Sequence, residues 1–178
     1  LAECCASVFQ HQALHAKTVV ITAGPTVEPI DPVRFLSNRS SGKMGYALAD
    51  AAVEAGAQVQ VITGPTHCEK NSRGHSQAVE TAAEMLAATM ATISDADVFI
   101  ASAAVADYAP LHSAPQKIKK HASQLLVECE KTQDILKQVK QDYPACFCVG
   151  FAAETDNLIT HAKNLSLIHI SEPTRRLN

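Results

Sequence analysis

The chain has 178 residues, of which 47% are apolar, and a net charge of −3. A single domain of that length buries roughly 70% of its unfolded surface, and an apolar fraction this high excludes a disordered chain. The weak negative charge, the absence of Trp and an aromatic content of only 4% argue against nucleic acid as a partner, and no apolar run approaches the ~20 residues of a membrane span.

In chain order, residues 1–16 carry no initiator Met and no basic start followed by an apolar core, so no secretory signal is expected. They read as a linker or a stray helix ahead of the domain. Val19-Val-Ile-Thr22 is a buried strand. A loop from Pro25 to Ser41 follows, much longer than the ~2–6 residues usual between a strand and a helix. From Gly42 to Gly56 the apolar positions Met44, Ala47, Leu48, Ala51, Ala52 and Ala55 form a helical stripe, with Ser40 or Ser41 able to cap its start and Gly56 to end it. Gln58–Thr63 is a second strand, and Val79, Ala82, Ala83, Leu86, Met90 and Ile93 mark a second helix. Val98–Ala103 is a third strand. A polar loop over 108–123 carries Lys117-Ile-Lys-Lys120. Leu125–Cys129 is a fourth strand, or else part of an antiparallel extension. A helix over 132–142 and a strand over 145–150 complete the pattern. Repeated βαβ alternation predicts an α/β, Rossmann-like fold, a mostly parallel sheet with helices on both faces. The run 166–178 breaks the alternation and resembles a translated adapter tail.

Open α/β sheets bind ligands beyond the carboxyl ends of their strands. Four stretches fall at such ends. Ser40-Ser-Gly-Lys-Met-Gly45 opens a helix whose free N–H groups and dipole suit an anion, although a plain Ser cap explains the hexapeptide equally well. The P-loop spacing fails, because Lys43 is followed by Met44. Asp107 lies beyond the third strand and could be a turn residue, a cap or a receiver of a ribose hydroxyl or an amino group. The Lys117 run is either a solvated surface or a positive lid over an anion pocket. Glu154, after the last strand, could be a metal ligand, a base or a cap. A nicotinamide site is disfavoured: the first turn reads Ala23-Gly-Pro-Thr26 without the Gly fingerprint, and the second strand ends in Thr63-Gly-Pro65 with no acid for a ribose. The six Cys, at 4, 5, 68, 129, 146 and 148, have neither CxxC spacing nor a complementary His pair, so no metal site is expected and they read as small buried hydrophobes of a reduced, cytoplasmic protein.

Five stretches together resemble the phosphopantothenate–cysteine ligase family of coenzyme A biosynthesis. They are Ile21-Thr-Ala-Gly-Pro-Thr26, Asp31-Pro-Val-Arg-Phe-Leu-Ser-Asn-Arg-Ser-Ser-Gly-Lys-Met-Gly45, Ala103-Ala-Val-Ala-Asp-Tyr108, Lys117-Ile-Lys-Lys120 and Gly150-Phe-Ala-Ala-Glu-Thr155. They occur in the family's order over about 17–157. The resemblance implies a CTP-dependent ligation. Phosphopantothenate and CTP form an acyl-cytidylate and pyrophosphate, and cysteine then displaces CMP. By position, Asn38 would orient the intermediate, Arg34 would support that site, and Lys117 would neutralise charge during transfer. Ala101, Ser102, Ala103, Asp107, Asp134, Ile135 and Phe151 would lie around CTP, and Ser41, Gly42 and Lys43 would line a phosphate region. Mg²⁺ would come with CTP, held mainly by phosphates and water.

The resemblance further implies a homodimer built through this domain, and a higher assembly with an upstream FMN-dependent decarboxylase domain. Residues 1–16 would then be the linker from that missing domain. Residues 17–165 would be the ligase domain, truncated at its C-terminal end, and 166–178 a non-native tail. One departure stands out, since the family's Lys-Asn-Pro-Asp-Ile reads Lys131-Thr-Gln-Asp-Ile135. The competing reading is a non-catalytic nucleotide- or phosphate-binding module on the same fold.

Overall fold

The computed structural model describes residues 12–66, 74–119 and 123–151. Five parallel strands form one sheet in the order β5-β4-β1-β6-β9: β1 is Thr18–Ala23, β4 Gln58–Thr63, β5 His75–Ala78, β6 Val98–Ala101 and β9 Phe147–Gly150. β1 sits at the centre, with Ile21 opposite both Val61 of β4 and Ile100 of β6.

Side chains of β1 alternate between two cores, as a strand buried on both faces requires. Val19, Ile21 and Ala23 face helix α1 (Lys43–Glu54), where they meet Tyr46, Ala49 and Ala52. Val20 faces α2 (Ala82–Thr92) and α3 (Ile135–Asp142), in a core with Met85, Phe99, Leu136 and Val139. The doubly covered parallel sheet is the one expected.

The α1 stripe differs from expectation. Its buried residues are Gly45, Tyr46, Ala49 and Ala52, whereas Met44, Ala47 and Ala51 are exposed. Gly45 explains the rotation. A Cβ built there would stand 2.5 Å from the Ala23 Cβ and 2.8 Å from the Ser102 Oγ, so the helix lies directly on β1 through small residues. The Ser cap is also corrected. The N-cap is Gly42, in left-handed geometry at φ 75°, without a side-chain cap of its own. The Oγ atoms of Ser40 and Ser41 instead accept from the N–H groups of Gly42 and Lys43, at 3.3 and 3.5 Å. Gly56 ends α1 as expected: it takes φ 92°, its N–H donates to Val53 O, and Ala57 N–H donates to Ala52 O, which is a Schellman closure. In α2, Met85 is fully buried although it lay outside the expected stripe, while Ala83 is exposed.

Two small antiparallel ribbons lie outside the main sheet, and the second follows the antiparallel alternative for the 125–129 stretch. β2 (Val27–Pro29) and β3 (Phe35–Ser37) form a hairpin inside the long loop. β7 (Tyr108–Pro110) pairs with β8 (Cys129–Lys131), so the stretch read as a strand over 125–129 contributes only its end, and to an antiparallel extension. Cys146 and Cys148 are buried as expected, but Cys129 is exposed. Cys4, Cys5, Cys68, Lys120, Glu154 and the 166–178 tail lie outside the described residues.

Candidate functional site

β1, β4, β6 and β9 all end at one edge of the sheet. The loops that follow them are fastened to one another there. Pro25 and Ala104 form a parallel bridge beyond the strand ends, and Ala104 N–H donates to Gly24 O at 2.8 Å. Thr26, fully buried, accepts from Ala106 N–H through its Oγ1 at 3.0 Å. Ser102 Oγ donates to Thr22 O at 2.6 Å. Each bond satisfies a main-chain group that would be costly to leave unpaired where water is excluded.

This frame positions the expected site residues. Asn38 is exposed just past β3, and its Nδ2 donates to Val105 O at 2.9 Å. The long loop therefore folds back until Asn38 meets the loop after β6. Ser37 Oγ, donating to Thr26 O at 2.7 Å, fixes the preceding residue. Ala101 ends β6, two residues short of the expected strand, and Ser102 and Ala103 follow it; Asp107 is exposed a few residues on, and Phe151, 42% exposed, follows β9. Ser41 and Lys43 are exposed at the start of α1. Gly42 between them takes φ 75°, a left-handed conformation that strains an L side chain, and a Cβ there would also press on Thr66 Oγ1 at 3.2 Å.

Two residues expected beside CTP have structural roles as well. Asp134 is the N-cap of α3, its Oδ1 accepting from Lys137 N–H at 3.0 Å. Ile135 is buried in the core beside Leu136 and Val139, so its side chain faces the sheet. Thr132, where the resembling family carries Asn, holds the Asp107 loop. Its Oγ1 donates to Ala106 O at 2.6 Å and its N–H to Asp107 O at 3.0 Å.

Residues that sequence reasoning passed over are the two buried carboxylates of the long loop, Glu28 and Asp31. Glu28 Oε1 accepts from Ala82 N–H at 2.9 Å, placing an anion at the positive end of α2. Asp31 Oδ1 accepts from Val33 and Arg34 N–H, both at 2.8 Å. Its Oδ2 accepts from Ile118 N–H at 3.1 Å and faces Arg34 Nη1 at 3.2 Å. Burial opposes the charge on Asp31. The N–H donors of Val33, Ile118 and Arg34, with the Arg34 charge, outweigh that and hold its carboxyl below the ordinary value of 3.8. The available signal was Asp31-Pro-Val-Arg34 itself, since an Asp that accepts the N–H groups two and three residues on is a common loop device. Arg34 Nη2 donates to Ile118 O at 3.0 Å, so Lys117, exposed, is held next to the loop that carries Asn38.

Residues 14–167 match the family described as the DNA/pantothenate metabolism flavoprotein C-terminal domain. The chain belongs to that family. Over 164 residues it is 44% identical to the coenzyme A biosynthesis bifunctional protein CoaBC of Vibrio vulnificus (strain YJ016), in a match covering 89% of this chain and 40% of the relative. Over 175 residues it is 45% identical to the protein of that name from Escherichia coli (strain K12), covering 90% of this chain and 43% of the relative. The crystal structure of the C-terminal domain of CoaBC superimposes with a TM-score of 0.79 at 41% identity, over 90% of this chain and 76% of that one. The chain thus spans less than half the length of these curated relatives. The motif resemblance and the Rossmann-like fold agree with this membership of the flavoprotein C-terminal domain family.

Proposed function

We propose that the chain carries the CTP-dependent ligation of cysteine to phosphopantothenate in coenzyme A biosynthesis, as one half of a bifunctional protein. The observation that carries the reading is Asn38, brought from the long loop onto Val105 at the carboxyl edge of the sheet. The relatives' printed name, a bifunctional protein of coenzyme A biosynthesis, supports the pathway.

The chemistry follows from the substrates. A carboxylate resists attack by an amine until one of its oxygens becomes part of a good leaving group. The phosphopantothenate carboxylate attacks the α-phosphorus of CTP, and pyrophosphate leaves. The cysteine amine then attacks the acyl carbon, and CMP leaves. Asn38 orients the acyl-cytidylate through its amide. Lys117 offsets the negative charge that builds as pyrophosphate departs. Ser41, Gly42 and Lys43 offer N–H groups and a cation to a phosphate at the start of α1. Ala101, Ser102, Ala103, Asp107 and Phe151 border the nucleotide at the ends of β6 and β9. Asp134 and Ile135, at the start of α3, lie near the nucleotide base in the same reading. Mg²⁺ arrives with CTP as its counter-ion, ligated by phosphates and water. A dimer formed through this domain, a cytoplasmic location and an upstream FMN-dependent half joined through residues 1–16 belong to the same reading.

The test is pyrophosphate release. It should require CTP, Mg²⁺ and phosphopantothenate together, with CMP appearing only after cysteine is added. Binding of CTP with no pyrophosphate, in the protein carrying its complete C-terminal region, would replace the ligase by a nucleotide-binding module.

A further inference from the structure

Lys117 is exposed in a polar loop, which by itself would leave its ammonium free to wander. The residue after it is held on both sides of its main chain. Ile118 N–H donates to Asp31 Oδ2 at 3.1 Å, and Ile118 O accepts from Arg34 Nη2 at 3.0 Å. Asp31 and Arg34 are themselves paired at 3.2 Å, with Asp31 only 2% exposed. A further bond, Ala114 N–H to Ile30 O at 2.9 Å, ties the same two loops together upstream. The Asp31–Arg34 pair thus makes one closed ring of polar contacts around the Ile118 main chain. Asp31 completes its side of the ring by accepting from Val33 and Arg34 N–H with its other oxygen.

We propose that Asp31 is a positioning residue: with Arg34 it clamps the main chain of Ile118 and so sets where Lys117 stands relative to Asn38. The inference rests on the ligase reading for its catalytic consequence, but the clamp itself does not. It separates the roles of the motif residues. Asn38 and Lys117 address the substrates. Asp31 touches none of them, and Arg34 has its guanidinium committed to Asp31 and Ile118. Three main-chain N–H groups and the Arg34 guanidinium converge on the Asp31 carboxylate, which when ionised is acceptor-only on both oxygens. Asparagine must turn its NH₂ either to Ile118 N–H or to the Val33 and Arg34 N–H groups, so Asp31→Asn sets a donor against a donor whichever way it is oriented.

Amide hydrogen exchange on the 178-residue chain, without ligands, tests the clamp. In Asp31→Asn, exchange of the Ile118 amide should speed up at least about tenfold, while amides of β1 keep the parent rate. Arg34→Lys, which keeps the charge but lacks a fork able to serve both Asp31 and Ile118 O, should show the same local change and stands in if Asp31→Asn does not fold. Unchanged Ile118 exchange in the variants that fold overturns the clamp. The kinetic arm measures single-turnover pyrophosphate release. Asp31→Asn should lose about tenfold to a hundredfold, the scale of a small misplacement of a reacting group. Adding Lys117→Gln to it should cost far less than Lys117→Gln costs in the parent, because the two substitutions remove one contribution. Losses that multiply independently show that Asp31 does not act through Lys117, and overturn the positioning role. That kinetic arm uses the protein carrying its complete C-terminal region: a parent of that length that releases no pyrophosphate contradicts the ligase reading instead, and the exchange rates still decide the clamp.

Discussion

At the scale of single residues, Asn38 and Lys117 should fail in different ways. Asn38→Asp replaces the Nδ2 donor facing Val105 O by a carboxylate oxygen. That oxygen repels both the carbonyl and the acyl-phosphate beside it. Formation or retention of the acyl-cytidylate should fall by about a hundredfold or more. Quantifying enzyme-bound cytidylate after a cysteine-free incubation checks this, and parent-level accumulation would remove Asn38 from the site. Lys117→Gln keeps most of the side-chain length and removes the charge. Pyrophosphate release should slow by ~10²–10³. Thermal stability should hold, because an exposed side chain of this kind contributes within about 0.5 kcal/mol. A variant as fast as the parent would make Lys117 one solvated charge among its neighbours. The types and order of these residues were legible from the motifs. The residues that hold them were not. Asp31 and Glu28 look like surface acids in sequence, and only the folded loop shows each carboxylate filled by N–H groups from another segment.

At the scale of elements, the legible ones are those with apolar alternation or a clear end signal. β1, β4, β6 and β9 read correctly because their cores are Val, Ile, Phe and Cys. β5, His75-Ser-Gln-Ala78, is a polar strand of the sheet with little to mark it. The β2–β3 hairpin hides in the long loop because each strand has three residues and Pro32 interrupts the run between them. The face of α1 was misjudged for a different reason: Ala is neutral between core and surface, and Gly45 decides the rotation by contact alone. That contact gives a prediction. In Gly45→Ala the new Cβ must displace Ala23 and Ser102, lifting α1 from β1. Overpacking of this sort costs about 1–3 kcal/mol. In a chain of this length each kcal/mol lowers Tm by roughly 2–4 °C. Thermal unfolding followed by circular dichroism checks it, and an unchanged midpoint would mean that α1 does not rest on β1 through Gly45. Because Ser102 lies at the site edge, the same variant should also weaken CTP binding.

At the scale of the whole molecule, two carboxylates tie distant segments, and both favour the folded state when ionised. Asp97 accepts from Lys17 Nζ at 2.7 Å and from Thr18 N–H at 2.9 Å, which joins the start of β1 to the approach to β6. The Lys17 hydrogen bond first, then the Thr18 N–H and the Lys17 charge, outweigh partial burial and lower its pKa. Asp31 is lowered too, its donors outweighing burial. A carboxyl whose folded value lies below 3.8 binds fewer protons folded than unfolded. Its contribution is therefore complete above that ordinary value and disappears as pH falls through the lowered one. Tm should fall on acidification below about pH 4, and less steeply in Asp97→Asn and in Asp31→Asn than in the parent. Equal slopes in all three proteins would mean that neither carboxylate is linked to folding. The layered sheet and its ligand edge were legible because βαβ alternation dictates them, whereas these long-range ties depend on which loops meet.

The central claim is that activation puts a phosphopantothenate carboxylate oxygen on the α-phosphorus of CTP. Phosphopantothenate labelled with ¹⁸O in both carboxylate oxygens tests it most directly, with CTP, Mg²⁺ and cysteine present and the products read by mass spectrometry. Attack at the α-phosphorus requires that the released CMP carry one ¹⁸O, with unlabelled pyrophosphate and one ¹⁸O left in the new amide. Unlabelled CMP, or label appearing in inorganic phosphate beside CDP, would contradict the account.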